Sequence, residues 1–267
     1  MRMKPYLMLL VLIVLGLIWG IAETNWIRVR RYNYQHSAFS GLKIAFLSDF
    51  HYKNRYDGQK IRRAIKKVSR EKPDLIILGG DYTEDDGTKL EAVFELLKDL
   101  KAPLGVYYIT GNHDYLPGMK ETLEVWAQRY GIQSLNNRSY WIPYNGVRLK
   151  LGGIPDMDHE HPVLATTLSD VTEDDFVILA SHQPDFVMEL KPEDRARIDL
   201  MLCGHTHGGQ MTLFGYAPYI PSRYGQRFRS GRIDVEGVTV IVSNGVGETQ
   251  IPLRYFAPAE VVLITFE

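Results

Sequence analysis

The chain reads as an α/β fold in which two packed sheets carry helices on their outer faces, preceded by one helix of membrane-spanning length. Three observations predict this. Short apolar runs end abruptly at turn residues, helical faces alternate with them in the first half, and the later sequence becomes strand-rich with few helices between.

Residues 1–40 read as a membrane anchor, or a signal peptide, with a connector. No charge occurs from Pro5 through Ala22, and Tyr6 to Ala22 is apolar throughout. As a helix, Pro5 to Ala22 would be about 27 Å long at 1.5 Å per residue, close to the ~30 Å of a hydrocarbon core. The run is longer than a usual signal core, so a single-pass anchor in the cell membrane is expected. Gly20-Ile21-Ala22 offers small residues for cleavage, which makes export after processing the alternative. A buried core helix fits poorly, because a helix apolar all round needs a large protein around it. Arg2 and Lys4 argue for a cytoplasmic N-terminus and Arg28, Arg30 and Arg31 for the reverse, so the side of the membrane stays open.

Residues 41–267 read as the catalytic domain. Lys43 to Ser48 leads to Asp49, Leu75 to Leu78 leads to Gly79-Gly80-Asp81, and Gly105 to Ile109 leads to Thr110-Gly111-Asn112-His113. Val177 to Ala180 ends at Ser181-His182, and Leu200 to Cys203 ends at Gly204-His205. Such runs, bounded by turn signals, are strands buried on both faces. Ile61, Ala64, Ile65 and Val68 share one helical face from near Gly58. Leu90, Val93, Phe94, Leu97 and Leu100 share another from about Lys89, and Leu123, Trp126 and Tyr130 a third from about Met119. This alternation predicts parallel βαβ units. Strands at Tyr140 to Pro143, Val147 to Leu151, Val238 to Val242 and Val261 to Phe266 are then expected to form a second, mixed sheet. Gly208 to Gly231, rich in Gly, Pro and Tyr, reads as a long loop, and long loops in compact domains are often functional.

Composition narrows the function classes. The formal net charge is −1, but residues 41–267 hold 26 basic and 31 acidic residues with no basic stripe, which argues against a nucleic-acid partner. Cys203 is the single cysteine; it ends an apolar run and reads as a small core residue rather than a catalytic thiol.

The chemistry lies at the strand ends. In an open α/β sheet, ligands bind at the carboxyl ends of the strands, and each candidate motif sits there. Asp49 and His51 are two apart, as are His205 and His207, so in extended backbone each pair would point the same way. Carboxylate, imidazole and amide donors without thiolate suit Mn, Fe, Zn, Co or Ni. Asp81, at a central strand end, is placed to bridge two ions. Two ions about 3.5–4 Å apart would clamp an in-line phosphoryl displacement and lower the pKa of a bridging water. Singly, each motif is an ordinary turn or strand end; five in this order and context are not.

Ser48-Asp49-Phe50-His51, Gly80-Asp81, Gly111-Asn112-His113-Asp114, Ser181-His182 and Gly204-His205-Thr206-His207 resemble the five blocks of calcineurin-like metallophosphoesterases, over a span from Lys43 to Phe266. Gly208-Gly209-Gln210 is similar to a bacterial subgroup of membrane-anchored or exported members that includes UDP-2,3-diacylglucosamine pyrophosphatases. The resemblance implies a four-layer α/β/β/α sandwich of two mixed sheets. It implies one divalent metal on Asp49, His51, Asp81 and His207, and another on Asp81, Asn112, His182 and His205, with manganese first among the candidates. It also implies that His113 meets the leaving group and that Asp114 orients His113. The expected activity is phosphodiester or pyrophosphate hydrolysis by a metal-bridging hydroxide, on a membrane or envelope substrate such as a lipid-linked sugar nucleotide. The alternatives are a soluble phosphoester substrate and a catalytically silent membrane-tethered scaffold.

Other polar clusters read as structural. His159 and His161, in Asp156-Met-Asp-His-Glu-His161, are expected in a solvated loop, His36 at the surface, and Asp85-Asp86 and Asp174-Asp175 as exposed charge. Tyr216, Tyr219 and Tyr224 with Arg223, Arg227 and Arg229 either meet an anionic substrate or serve the loop's own packing.

Overall fold

The computed structural model describes residues 4–84 and 86–267; Arg2 and Asp85 lie outside them. Helix α1 (Pro5–Thr24) opens on a proline, whose fixed φ suits the first helical position. Its sides are exposed, and only its final turns are buried against the domain.

The domain follows as β1 (Arg28–Tyr34), β2 (Lys43–Leu47), α2 (Arg55–Glu71), β3 (Leu75–Leu78), α3 (Leu90–Leu97), β4 (Val106–Tyr108), α4 (Met119–Arg129) and β5 (Gln133–Ser134). Then come β6 (Arg138–Tyr144), β7 (Val147–Gly153), β8 (Phe176–Ala180), β9 (Leu200–Cys203), β10 (Gly231–Val235), β11 (Val238–Val242) and β12 (Glu260–Phe266). One six-stranded sheet runs β1-β12-β2-β3-β4-β5, the other β10-β11-β9-β8-β7-β6. Both are mixed: β12 is antiparallel to β2, and β6 and β10 are antiparallel to their neighbours.

Side chains alternate across each strand with period two, and this builds the layers. Ile44, Phe46, Leu75, Ile77, Ile178, Leu200, Leu202, Val262 and Ile264 meet in one buried cluster between the sheets. Their neighbours Ala45, Leu47, Ile76, Leu78, Val261 and Leu263 face outward onto Ile61, Ala64, Ile65 and Val68 of α2, Val93, Phe94 and Leu97 of α3, and Leu123 of α4. Val177, Leu179, Met201 and Cys203 face the opposite way, onto Leu168, Phe186, Val187 and Leu190 in short helical segments. The result is a four-layer α/β/β/α arrangement.

The sheets divide differently from the sequence expectation. β8 and β9 belong to the second sheet, and β12 closes the first by pairing with β2. A strand buried on both faces carries no sign of which sheet it joins, so the pattern could not sort them. The expected connector also holds β1, an edge strand paired parallel to β12. Its charges, Arg28, Arg30 and Arg31, are exposed and guard the edge; with so few aliphatic residues it left no apolar run to read. Helix α2 starts at Arg55 rather than Gly58 because of a capping box. Asn54 Oδ1 accepts from Tyr56 N at 2.8 Å, and Asp57 Oδ2 accepts from Asn54 N at 3.1 Å. His36 is not a free surface ring: it packs on Phe39 and Phe176, with ring centroids 4.8 and 4.9 Å apart.

Candidate metal centre

Five strand ends meet at one crevice between the sheets. β2 delivers Asp49 and His51, β3 Asp81, β4 Asn112 and His113, β8 His182, and β9 His205 and His207. The backbone route differs from the expected one. Asp49 (φ 54), His51 (φ 42), Asp81 (φ 57), His205 (φ 71) and His207 (φ 52) all adopt left-handed conformations, so neither two-residue pair is extended. Convergence comes from interlocked turns: Asp49 N donates to the Gly80 carbonyl at 3.0 Å, and Phe50 N and His51 N donate to the Asp81 carbonyl at 2.8 and 3.0 Å. Two glycines let the turns close. A Cβ at Gly111 would fall 2.2 Å from Asp81 Oδ1, and one at Gly204 would fall 2.4 Å from Asp49 Oδ2.

The side chains form overlapping groups. Asp49, His51 and His207 meet, as do Asp49, Asp81 and His182. His51 Nε2 faces His207 Nε2 at 3.0 Å, and His207 Nε2 lies 3.5 Å from Asp49 Oδ1. Asp81 Oδ2 lies 3.2 Å from His182 Nε2 and 3.4 Å from His51 Nε2. His205 Nδ1 contacts Asn112 Oδ1 at 2.8 Å, and His205 N donates to Asp49 Oδ1 at 2.9 Å. Asp49, His51, Asp81, His182 and His207 are buried, while Asn112, His113 and His205 are half-buried and line the open side.

This donor set fits cations. His182 Nδ1 sits 2.7 Å from the Gly79 carbonyl, so Nδ1 carries the proton and Nε2 turns a lone pair toward Asp81. Among the described residues, His182 Nε2 is buried without an aligned hydrogen bond, and His207 turns its Nε2 toward Asp49 and His51. Buried lone pairs and carboxylates aimed at one space are costly unless a positive charge fills it. Without a metal, a proton takes that part. Burial acts to lower the His182 pKa, but the charge of Asp81, with Nε2 3.2 Å away, overrides it and raises it to about 10. Burial likewise acts to raise the Asp81 pKa, and the neighbouring His182 and His51 bring it well below the usual carboxylate range. Burial lowers His207 and His205.

His113 sits beside this group, its ring edge-on to His51 at 4.9 Å between centroids. Its backbone N donates to Asp81 Oδ1 at 2.8 Å, and its Nδ1 contacts the Glu84 carbonyl. The Asp114 carboxylate is engaged elsewhere than on the His113 ring. It accepts from Asp81 N and Gly111 N at 2.8 Å each and from Tyr82 N at 3.0 Å, tying the β3 and β4 turns together. Burial and the Asp81 charge raise its pKa to about 7 against these three donors. The ring-orienting contact comes instead from Glu84, which also places Oε2 2.7 Å from His51 Nδ1. Nothing in the sequence distinguishes Glu84 from a surface glutamate. Arg254 escaped notice for the same reason. It is fully buried and donates to Glu248 Oε1 at 3.0 Å and to the carbonyls of Ala257 at 2.8 Å, Asn244 at 2.9 Å and His207 at 3.3 Å.

Beside His207 lies a cavity of about 180 Å³ with walls of Met211, Pro218, Tyr219, Pro221 and Ile251. It joins the Gly208 to Gly231 loop to the 249–257 segment. Gln210 Nε2 donates to the carbonyls of Thr249 and Ile251 at 3.1 and 2.9 Å, and Tyr255 N donates to the Gln210 carbonyl at 3.0 Å.

The remaining polar residues behave structurally. Asp156 is buried rather than solvated, accepting from Gln183 Nε2 at 2.8 Å and lying 2.7 Å from His159 Nδ1, while His161 is exposed. Asp86 caps Thr88 N at 3.0 Å, Asp175 accepts from Thr172 N at 2.8 Å, and Asp174 is exposed. Arg223 pairs with Asp158 and Glu189 at 3.5 and 3.3 Å. Cys203 is buried, which pushes its thiol well above its ordinary range.

Residues 42–209 match the family model described as calcineurin-like phosphoesterase. The uncharacterized metallophosphoesterase YkuE of Bacillus subtilis is 32% identical over 238 residues, covering 86% of this chain and 80% of that protein. A Danio rerio transmembrane protein with metallophosphoesterase domain is 28% identical over 246 residues, covering 86% of this chain and 54% of its own length. The structure of the Thermus thermophilus sulfate thiohydrolase SoxB superposes with a TM-score of 0.53 over 85% of this chain and 57% of SoxB; at 12% identity this is a likeness of fold alone. Its matched family model and its YkuE relative lead to one conclusion: the chain belongs to the calcineurin-like phosphoesterase family and is a metallophosphoesterase, a hydrolase of phosphoester bonds.

Proposed function

We propose that this chain is a two-metal phosphodiesterase or pyrophosphatase that works at a membrane surface on a lipid-linked or envelope phosphoester. The observation that carries the reading is the convergence of Asp49, His51, Asp81, Asn112, His182, His205 and His207 on one crevice, with the buried His182 Nε2 unpartnered toward Asp81. Asp49, His51, Asp81 and His207 would hold one ion, and Asp81, Asn112, His182 and His205 the other, with Asp81 shared. Manganese is the first candidate, with iron, zinc, cobalt or nickel as alternatives. When bound, such ions supply the charge and the nucleophile for in-line displacement at phosphorus.

The chain's own residues do the rest. The Gly79 carbonyl and the Glu84 carboxylate hold the rings of His182 and His51, as outer partners of metal-binding imidazoles do. His113, with Nδ1 on the Glu84 carbonyl, keeps Nε2 for the departing oxygen and delivers a proton there. Asp114 is a positioning residue that fixes the two turns bearing Asp81 and Asn112.

Three features support the membrane setting. Helix α1 is 20 residues long and uncharged from Pro5 through Ala22. The bond after Ala22 lies within this helix, and the next residues, Glu23 and Thr24, are buried; a signal peptidase needs an extended, accessible chain, so an uncleaved anchor is favoured. The apolar cavity adjoins the ligand His207 and suits an acyl or other apolar group.

The test uses the purified full chain in detergent with Mn²⁺, metal analysis, a soluble bis-aryl phosphodiester, and a diacylated sugar nucleotide in mixed micelles. Two metal ions per chain and hydrolysis of both compounds, with the lower KM for the lipid, are expected. No turnover with any divalent ion would leave the silent scaffold. Turnover of the soluble ester alone would overturn the lipid assignment.

A further inference from the structure

We propose that the ledge formed by the Leu213–Tyr219 and Ile251–Phe256 loops is seated in the boundary of an anionic phospholipid bilayer, so that the cavity beside His207 opens at the lipid surface rather than into bulk water. The inference rests on α1 being a membrane anchor, and adds where the domain itself lies.

The geometry follows from the height at which the ledge meets α1. Tyr255 Oη donates to the Gly16 carbonyl at 3.0 Å, and Arg254 N donates to the Gly20 carbonyl at 3.4 Å. The Tyr255 ring lies flush on the helix, since a Cβ at Gly20 would fall 2.6 Å from it. Phe256 packs near Trp19 at 6.4 Å between centroids, and its N donates to Glu23 Oε2 at 2.8 Å. The apolar run continues to Ala22, six residues beyond Gly16, or about 9 Å along the axis. The ledge therefore grips α1 from Glu23 back into its apolar stretch as far as Gly16. A bilayer that covers Tyr6 to Ala22 must also cover Tyr255 and Phe256.

The surface chemistry agrees. Phe214 is 98% exposed, and Leu213, Tyr216, Tyr219, Ile251 and Phe256 are exposed with it. A contiguous exposed apolar patch marks an interaction surface, and aromatic residues favour the membrane boundary. The two loops are tied into one ledge: Thr212 N donates to the Tyr255 carbonyl at 2.8 Å, and Leu213 and Tyr216 pair across a tight turn at 2.8 and 3.0 Å. Beside the ledge, Arg28, Arg30 and Arg229 line a cleft with Phe256, and Arg28 lies over the Trp26 ring at 4.5 Å. Guanidinium groups at that level meet the phosphates of anionic headgroups. Met211, Tyr219 and Ile251 belong both to this region and to the cavity wall.

Because Cys203 is buried, single cysteines placed at the surface can be labelled selectively. The full chain, carrying Phe214→Cys, Phe256→Cys, Val11→Cys on α1 or Val125→Cys on α4, would be labelled with an environment-sensitive fluorophore. It would then be reconstituted in phosphatidylcholine–phosphatidylglycerol vesicles and quenched by acyl-chain nitroxide lipids or by aqueous iodide. Labels at 214 and 256 should be quenched several-fold more by nitroxide lipid than the label at 125, with iodide giving the reverse order. If 214 and 256 behave like 125 while 11 is quenched by lipid, the ledge is in water and the inference fails with the anchor intact. If 11 also reports water, anchor and inference fall together. Neither result depends on turnover, so the phosphoester reading is judged separately.

Discussion

The two sides of the crevice are built by opposite means. Its floor, carrying Asp49, His51, Asp81, His182 and His207, is buried, polar and fixed by backbone hydrogen bonds between adjacent strand ends. Its rim, from Met211 to Tyr219 and from Ile251 to Phe256, is largely exposed and apolar, tied down by contacts from Gln210 and Thr212 and by the buried Arg254, which reaches the His207 carbonyl. The floor determines which reaction is possible, because its donors are displaced by any shift of a strand end. The rim, as proposed, selects the molecule that arrives, because its exposed side chains can change polarity without displacing the buried floor.

Substitutions separate these roles. Asp81→Ala removes the carboxylate that lies between His51 and His182, 3.4 and 3.2 Å from their Nε2 atoms; it should abolish turnover and bound metal together, as read by metal analysis and hydrolysis of a bis-aryl phosphodiester. His113→Gln should keep the metal and lower kcat about 10²–10⁴-fold, the usual worth of a general acid; wild-type turnover in that variant would remove His113 from the chemistry. Glu84→Gln weakens the support of His51 and should cost about 10–100-fold in metal affinity or activity. An unchanged metal titration would show that the His51 contact carries no weight.

The smallest effect is a pH slope. The folded pKa of His182 in metal-free protein, about 10, exceeds its ordinary 6.5 because Asp81 outweighs burial. A raised histidine pKa lends stability that is full below about pH 6.5 and is lost as pH rises through about 10. Thermal melts of chelator-treated protein should therefore fall across that window more steeply than melts with saturating Mn²⁺, where the cation replaces the proton. Parallel slopes would break the argument that the floor demands positive charge.

The sequence disclosed the floor more readily than the rim, for physical reasons. Strand ends announce themselves because an apolar run stops at a turn, so Asp49, Asp81, His113, His182 and His205 could be placed in one crevice from their order alone. The local backbone could not be read: a two-residue spacing suggests extended chain, whereas the left-handed turns depend on hydrogen bonds between segments about 30 residues apart in the chain, such as Asp49 to Gly80. Glu84 and Arg254 acquire meaning only from partners remote in sequence. The Gly208 to Gly231 loop is legible by composition, but its companion at 249–257 is not, because that segment takes its role from distant partners: α1, Gln210 and the His207 carbonyl.

The five left-handed residues proposed as metal ligands have a consequence for how such a chain would drift. A non-glycine residue in that conformation costs on the order of 1–2 kcal/mol, so five together weigh against a folding free energy of only about 5–15 kcal/mol. Glycine would relieve each of them. A lineage released from catalysis could relieve that backbone cost by letting His51, His205 and His207 slide to glycine, whereas Asp49 and Asp81 also accept from His205 N and His113 N. Here all five still carry aspartate or histidine, so the backbone keeps a cost that an inert descendant would be free to shed at its histidines.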